Sequence, residues 1–238
     1  MTRGADLSIV VFAFDEEENI AAVLGELRAW LDVHEPGAEL VFVDDGSRDH
    51  TREEAARALA GTRAVVLRHE RNRGIGAALK TGVAAASGAF VTFLPADGQI
   101  APDAIRTLRD AQREAGADVV LSVYDHRDDG LDRKLLSAGV RALITLVHGV
   151  RLHSDGPYLF RRSLFLAEQL PPDTFFLNFE FPIRVLAAGL RVATVTIACR
   201  PRRAGFSKST GLRRVAGVAR DLLGLRVRRL REAARALR

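Results

Sequence analysis

The sequence predicts an α/β fold: a mostly parallel, doubly wound sheet flanked by helices, ending in a basic helical C-terminal tail. Short apolar runs rich in Val, Ile and Phe alternate with segments of helical periodicity, the pattern of strands covered on both faces. Acidic, small or glycine residues stand where those runs stop, and the strand ends of an α/β sheet are where such folds bind ligands. The charge is also unevenly placed. Residues 200–238 hold 13 Lys/Arg against Asp221 and Glu232, so the net charge of +5 belongs to the tail and the remainder is acidic.

Leu7–Phe14 is a continuous apolar strand, and the acids of Asp15-Glu16-Glu17-Glu18 suit the start of the helix that follows. That helix runs to about Val33, with Ile20, Val23, Leu24, Leu27 and Leu31 on one face. Glu39–Val43, Arg63–Arg68, Ala89–Leu94 and Asp118–Val123 read as further strands. Thr51–Ala60, Ile75–Ala86 and Pro102–Ala115 read as the helices between them, the last with proline in its first turn. Beyond Asp125 the spacing predicts a helix over Leu131–Val147, a strand over Gly156–Phe160, a helix over Asn178–Ala188 and a strand over Arg191–Ala198. Gly205–Gly211 is a polar loop, and Leu212–Arg238 a long basic helix or helix pair. One domain over residues 1–211 with a helical appendage over 212–238 is the expected organisation.

At 47% hydrophobic and 27% charged, the 238-residue chain has the composition of a globular protein with a sizeable core. No apolar run approaches the ~20 residues that span a bilayer, and Met1–Asp6 leads into a strand without a signal-peptide core. The single cysteine excludes an intrachain disulfide and fits a reducing compartment. Inside Val195–Cys199, that thiol reads as core rather than nucleophile. Only two tyrosines and one tryptophan are available to stack on nucleic acid, and none lies in the tail.

Three segments are candidates for chemistry. Asp44-Asp45-Gly46-Ser47 ends the second strand, and its carboxylates can accept hydrogen bonds from base N–H and ribose hydroxyl groups. The same residues also suit an Asx-turn and a helix cap by Ser47 or Asp49. Asn72-Arg73-Gly74-Ile75-Gly76 opens a helix, with Lys80 a turn further on; this suits a phosphate at a helix N-terminus, or a tight turn. Pro95-Ala96-Asp97-Gly98-Gln99 offers a carboxylate and an amide oxygen two residues apart, able to share a hard cation with a diphosphate.

Taken in order, these segments resemble family 2 glycosyltransferases of the GT-A fold, in the polyprenyl-phosphate branch that includes dolichol-phosphate mannosyltransferases. Val11–Ile20 resembles the first-strand motif, Val43–Thr51 the second, and Asn72-Arg73-Gly74 with Ala77, Gly82 and Ala85–Gly88 the third. Arg133–Ser137 resembles the segment that meets the lipid phosphate, and Arg202–Lys208 the Arg-x-x-Gly-x-Ser-Lys loop. The resemblance implies inverting transfer of one sugar from a nucleotide-sugar, GDP-mannose or a UDP-hexose, onto a polyprenyl phosphate. It further implies that Glu16, Asp44, Asp45, Asn72 and Gly74 hold the nucleotide-sugar, and that Asp97 and Gln99 hold Mg²⁺ or Mn²⁺. Arg203 and Lys208 would neutralise phosphate charge, with Arg202 as the alternative to Arg203, and Arg133 and Ser137 would bind the acceptor phosphate. Glu180 stands where the family has an acidic residue near the sugar; a plain surface carboxylate is the other reading.

The chain departs from the family at Pro95, which replaces the first Asp of the usual Asp-x-Asp and thins the metal site. Asp155 stands shifted from a usual Asp, and Val123-Tyr124 replaces a frequent Arg, for which Arg127 is the expected substitute. In the tail, Leu222, Leu223 and Leu230 lie among arginines, suiting either an anionic membrane surface or packing on the domain itself. The expected location is therefore cytoplasmic, peripheral on the inner face of the plasma membrane. A soluble or saccharide acceptor, or a non-catalytic nucleotide-sugar binder, are the alternative functions.

Overall fold

The computed structural model describes residues 5–125, 131–170, 173–201, 203 and 212–236. β1 (Leu7–Ala13) is buried at every position, which accounts for its unbroken apolar run. α1 (Glu17–His34) follows, with its expected apolar face buried together with Asn19 and Trp30. Then come β2 (Glu39–Asp44), α2 (Thr51–Ala58), β3 (Val65–Arg68), α3 (Ile75–Ala85), β4 (Phe90–Pro95), α4 (Asp103–Ala115) and β5 (Val119–Tyr124). The second half holds α5 (Leu131–His148), β6 (Leu159–Arg161), α6 (Leu177–Ala187), β7 (Val192–Ile197) and α7 (Leu212–Ala236).

The strands form one 7-stranded sheet in the order β3-β2-β1-β4-β6-β5-β7. β1 pairs in parallel with β2 and β4, β2 with β3, and β5 with β7, whereas β6 runs antiparallel to β4 and β5. The chain steps outward from β1 to β3 and returns to β1's other side for β4. This reversal opens a crevice at the carboxyl ends of β1 and β4, the place where open α/β sheets bind ligands.

Side-chain alternation splits the core between the two sheet faces. Val10, Phe12, Val41, Val43, Val91 and Phe93 pack with residues of α3, α6 and α7, while Ile9, Val11, Phe42 and Leu94 pack with α1 and α4. In the first layer, Tyr158 meets Phe93 edge-on at 4.7 Å and stacks on Phe181 at 5.6 Å. Its buried hydroxyl has no hydrogen-bond partner among the described residues, and burial pushes its pKa up. Tyr158→Phe removes that orphaned group and is expected to raise stability by about 1 kcal/mol. The check is a higher denaturant midpoint at unchanged slope; a lower midpoint would show that the hydroxyl is satisfied.

Two sequence expectations change and a third, left open, is resolved. The strand expected over Gly156–Phe160 is only Leu159–Arg161, because Asp155 and Gly156 donate their N–H groups to Ser122 O and the Ser122 hydroxyl bonds Pro157 O. Cys199 is half-buried just beyond the end of β7, not in the core: β7 is an edge strand with alternating exposure. The tail is one α-helix, not a pair. It packs on the body, with Leu222 and Leu225 fully buried and Leu222 O 3.1 Å from His148 Nε2 of α5.

Candidate functional site

The loops after β1 and β2 are knitted together. Asp15, a non-glycine residue at φ 52°, donates its N–H to Ser47 Oγ (3.0 Å) and accepts from Arg48 N–H at Oδ1 (2.8 Å). Glu16 N–H donates to Thr51 Oγ1 (2.7 Å) and Glu17 N–H to Asp49 Oδ2 (3.2 Å). Asp49, not Ser47, receives the N–H of Thr51 at the start of α2. Partial burial opposes ionisation of Asp49, but hydrogen bonds from the Thr51 hydroxyl and from N–H groups of Thr51 and Glu17 outweigh it and hold its pKa down. A hydrogen bond to Glu17 raises the pKa of exposed His50. The Glu16 side chain accepts from Asn19 Nδ2 at 2.8 Å, so Glu16 stands at the rim of this paired loop.

The two neighbouring aspartates have opposite surroundings. Asp44 is 1% exposed; its Oδ1 accepts Ser47 N–H (2.9 Å), three residues on and so one further than in an Asx-turn. Its Oδ2 is buried with no hydrogen-bond partner among the described residues, facing Arg68 Nε at 3.5 Å. Asp45 instead spends both oxygens inside the fold. Oδ1 lies 2.6 Å from His69 Nδ1 and accepts Arg73 N–H, while Oδ2 accepts Gly74 N–H (2.8 Å). An acceptor-only carboxylate requires the proton on Nδ1, and His69 Nε2 lies 2.9 Å from the Thr81 hydroxyl. Asp45 therefore ties the Asn72–Gly74 loop to β2.

Gly46, at φ +73°, permits that tie: a Cβ there would meet Arg71 Cα at 2.6 Å. This close approach sets exposed Asn72 against Gly46, next to the residues that bond Asp45. Gly74, at φ +95°, and Gly76 face another backbone segment, where added Cβ atoms would lie 2.9 Å from Asp173 O and 2.6 Å from Asp173 C. Ala77 N–H donates to Asp173 O (3.1 Å), and Lys80 pairs with the Asp173 carboxylate at 2.8 Å. The start of α3 is thus filled by the protein itself. The tight-turn reading of these glycines holds, and a phosphate cradle at this helix end does not.

Asp97, half-buried after β4, accepts Gln99 N–H at Oδ1 (3.1 Å). The Gln99 amide nitrogen lies 3.5 Å from Arg200 O, and Arg200 N–H donates to Gln99 O (2.8 Å), so the chain beyond β7 crosses this loop. Arg203 lies over Gly98, and Glu26 of α1 holds both Arg200 and Arg203 at 2.7 Å. Arg203 thus lies over the loop that holds Asp97, with its guanidinium engaged by Glu26. Among the described residues, no group of three His, Cys, Asp or Glu side chains converges as a metal site. Asp97 is the one carboxylate of its loop, so the described residues alone do not build a cage for a hard cation.

Glu180 is not part of this cluster. It is 0% exposed, with Oε1 accepting from Arg184 Nε (3.0 Å) and Oε2 from Arg228 Nη2 of α7 (2.7 Å). Arg184 forks onto Glu232 at 2.9 and 3.2 Å, and that hydrogen bond holds the Glu232 carboxyl below its usual range. Glu180 is therefore neither a surface carboxylate nor one with an oxygen open to a sugar, because α7 covers it. Arg133 and Ser137 lie on α5, but their side chains fall outside the described residues, as do Arg127, Arg202 and Lys208 entirely. Sequence reasoning missed His69, Thr81, Glu26, Asp173 and Arg68; of these, only Arg68, at the carboxyl end of β3, had a strand-end signal.

The Glycosyl transferase family 2 model matches residues 8–180. An undecaprenyl-phosphate 4-deoxy-4-formamido-L-arabinose transferase from Aeromonas hydrophila is 32% identical over 162 residues, 66% of this chain and 49% of the relative. A dodecaprenyl-phosphate galacturonate synthase from Rhizobium johnstonii is 29% identical over 229 residues, 94% of this chain and 67% of the relative. The chain thus spans about half the length of the first relative. Among solved structures, glucosyl-3-phosphoglycerate synthase from Mycobacterium tuberculosis in complex with phosphoglyceric acid superposes with a TM-score of 0.70 at 24% identity, covering 94% of this chain and 79% of that one. The same enzyme with Mg²⁺ and uridine diphosphate gives 0.70 at 23%, covering 93% and 78%. These structures share the GT-A fold that the strand-end motifs implied. With the family match running from β1 into α6, the chain belongs to glycosyl transferase family 2.

Proposed function

We propose that this chain binds a nucleotide-diphosphate sugar across the β1/β4 crevice and transfers the sugar, with inversion, to a polyprenyl phosphate at a membrane surface. One observation carries the donor site: the buried Asp44 Oδ2, lacking a hydrogen-bond partner among the described residues, at the carboxyl end of β2. The ion pair with Arg68 at 3.5 Å leaves this buried oxygen short of a hydrogen bond, which a nucleoside N–H or hydroxyl would supply. Support for a lipid-phosphate acceptor comes from the names of the two relatives. The donor base and sugar stay open between GDP-mannose and a UDP-hexose.

In this reading Glu16 and Asp44 hold the nucleoside, and Asp45 fixes the loop that carries Asn72 and Gly74. Asp97 and Gln99 face the diphosphate. A divalent cation, Mg²⁺ or Mn²⁺, bound there with the diphosphate would offset charge on the leaving group. Arg203 and Lys208 add positive charge to the same end, and Arg133 with Ser137 receives the acceptor phosphate. An acceptor phosphate oxygen attacks the anomeric carbon, and the bond electrons depart with the nucleoside diphosphate. The attacking oxygen is already anionic at neutral pH, so the step needs no strong general base. The location is cytoplasmic and peripheral, on the inner face of the plasma membrane.

Thermal shift with GDP and UDP, with and without Mn²⁺, identifies the base. Radiolabelled sugar should then enter an organic-extractable, mild-acid-labile product. Nucleotide binding without transfer or donor hydrolysis would overturn the proposal. Pro95→Asp restores a second carboxylate, and the Mn²⁺ concentration for half-maximal activity is expected to fall about tenfold. An unchanged Mn²⁺ titration would place the cation elsewhere.

A further inference from the structure

The buried and exposed residues of α7 sort by charge as well as by polarity. Leu222 and Leu225 are buried, Arg228 reaches Glu180, and Glu232 turns to Arg184, so an acid of the helix is engaged on the protein side. Leu223 (58% exposed), Val227 (47%) and Leu230 (55%) stand one above another at helical spacing on the opposite side. At 100° per residue, exposed Ala234 continues this stripe; Arg226 flanks one edge, and Arg220 and Arg231 the other. α5, packed against α7, presents another exposed leucine, Leu146. Helix α7 is fixed in place rather than free to turn, so this apolar stripe stays outward.

We propose that the outward face of α7 docks on an anionic lipid bilayer, with Leu223, Val227 and Leu230 in the acyl boundary and Arg220, Arg226 and Arg231 at the headgroups. The proposal takes its lipid surface from the membrane reading above and adds the place and register of contact. Charge complementarity selects this occupant. Two copies paired through this face would oppose arginine to arginine, and the central leucines gain nothing from a nucleic-acid backbone. Apolar residues flanked by arginine match both layers of an anionic interface.

The test is flotation of the full chain with phosphatidylglycerol or phosphatidylcholine vesicles, without donor or acceptor. The wild type should float with the anionic vesicles and be released by high salt, with about tenfold or more weaker binding to phosphatidylcholine. L223D/L230D and R226E/R231E should each weaken binding about tenfold or more at unchanged melting temperature. Val33→Asp, at an exposed apolar position on α1, should bind like the wild type. Equal flotation of both double variants, equal binding to neutral vesicles, or self-association that L223D/L230D abolishes would overturn the proposal. Vesicle binding without sugar transfer would fault only the transferase reading. Transfer to detergent-dispersed lipid phosphate without vesicle binding would fault only the docking face.

Discussion

Asp97→Ala is expected to lower kcat/KM for sugar transfer by about two to three orders of magnitude, the scale set by losing one preorganised charge at a developing anion. Asp97 supplies the one carboxylate of the loop after β4, and Pro95 leaves no acidic neighbour to replace it. Its Oδ1 accepts the Gln99 N–H at 3.1 Å on a half-buried loop, so melts are needed beside the kinetics to separate folding from catalysis. Asp45→Ala should behave differently, lowering stability as well as activity, because it unties His69, Arg73 and Gly74 together. Steady-state kinetics beside thermal melts separate the two. Full activity in Asp97→Ala would show that this carboxylate is not part of the machinery.

Glu180→Ala should cost about 3 kcal/mol or more of folding stability, the usual result of removing one partner from a buried ion pair. Glu180 is fully buried, with the Arg184 side chain 17% exposed and that of Arg228 34%; without the carboxylate, among the described residues Arg184 keeps Glu232 and Arg228 loses this ion pair. Glu180→Gln retains an acceptor oxygen and should lose less. Denaturant unfolding measures both, and a loss below about 1 kcal/mol would mean that the guanidinium groups reach water instead.

Most of the fold was legible because doubly covered strands concentrate Val, Ile and Phe, as in β1, and because α1 carries its buried face at helical spacing. β6 was less so: three residues of antiparallel strand, next to a turn tied to Ser122, leave little periodic signal. At the site, position was readable and role was not. Asp44 and Asp45 are identical and adjacent in sequence, yet one holds an unsatisfied oxygen and the other is consumed by groups 24 to 29 residues away. Gly74 and Gly76 looked ready for a phosphate, but Asp173 fills the space they leave. Glu180 resembled a sugar contact until Arg228, 48 residues later, closed over it. Each misreading came from a long-range partner that local pattern does not encode.

The Arg228–Glu180 pair makes α7 part of the same cooperative unit as the proposed donor site. α6 carries Glu180, and the turn leading into α6 supplies the Asp173 carbonyl that receives Ala77 N–H at the head of α3. Binding at one end of this chain of contacts is therefore linked thermodynamically to order at the other. A surface that binds the folded form alone stabilises it by RT ln(1 + [L]/Kd), so adsorption at α7 should raise the unfolding temperature of the nucleotide site far from the contact. By the same reciprocity, nucleotide bound at Asp44 should help keep α7 seated.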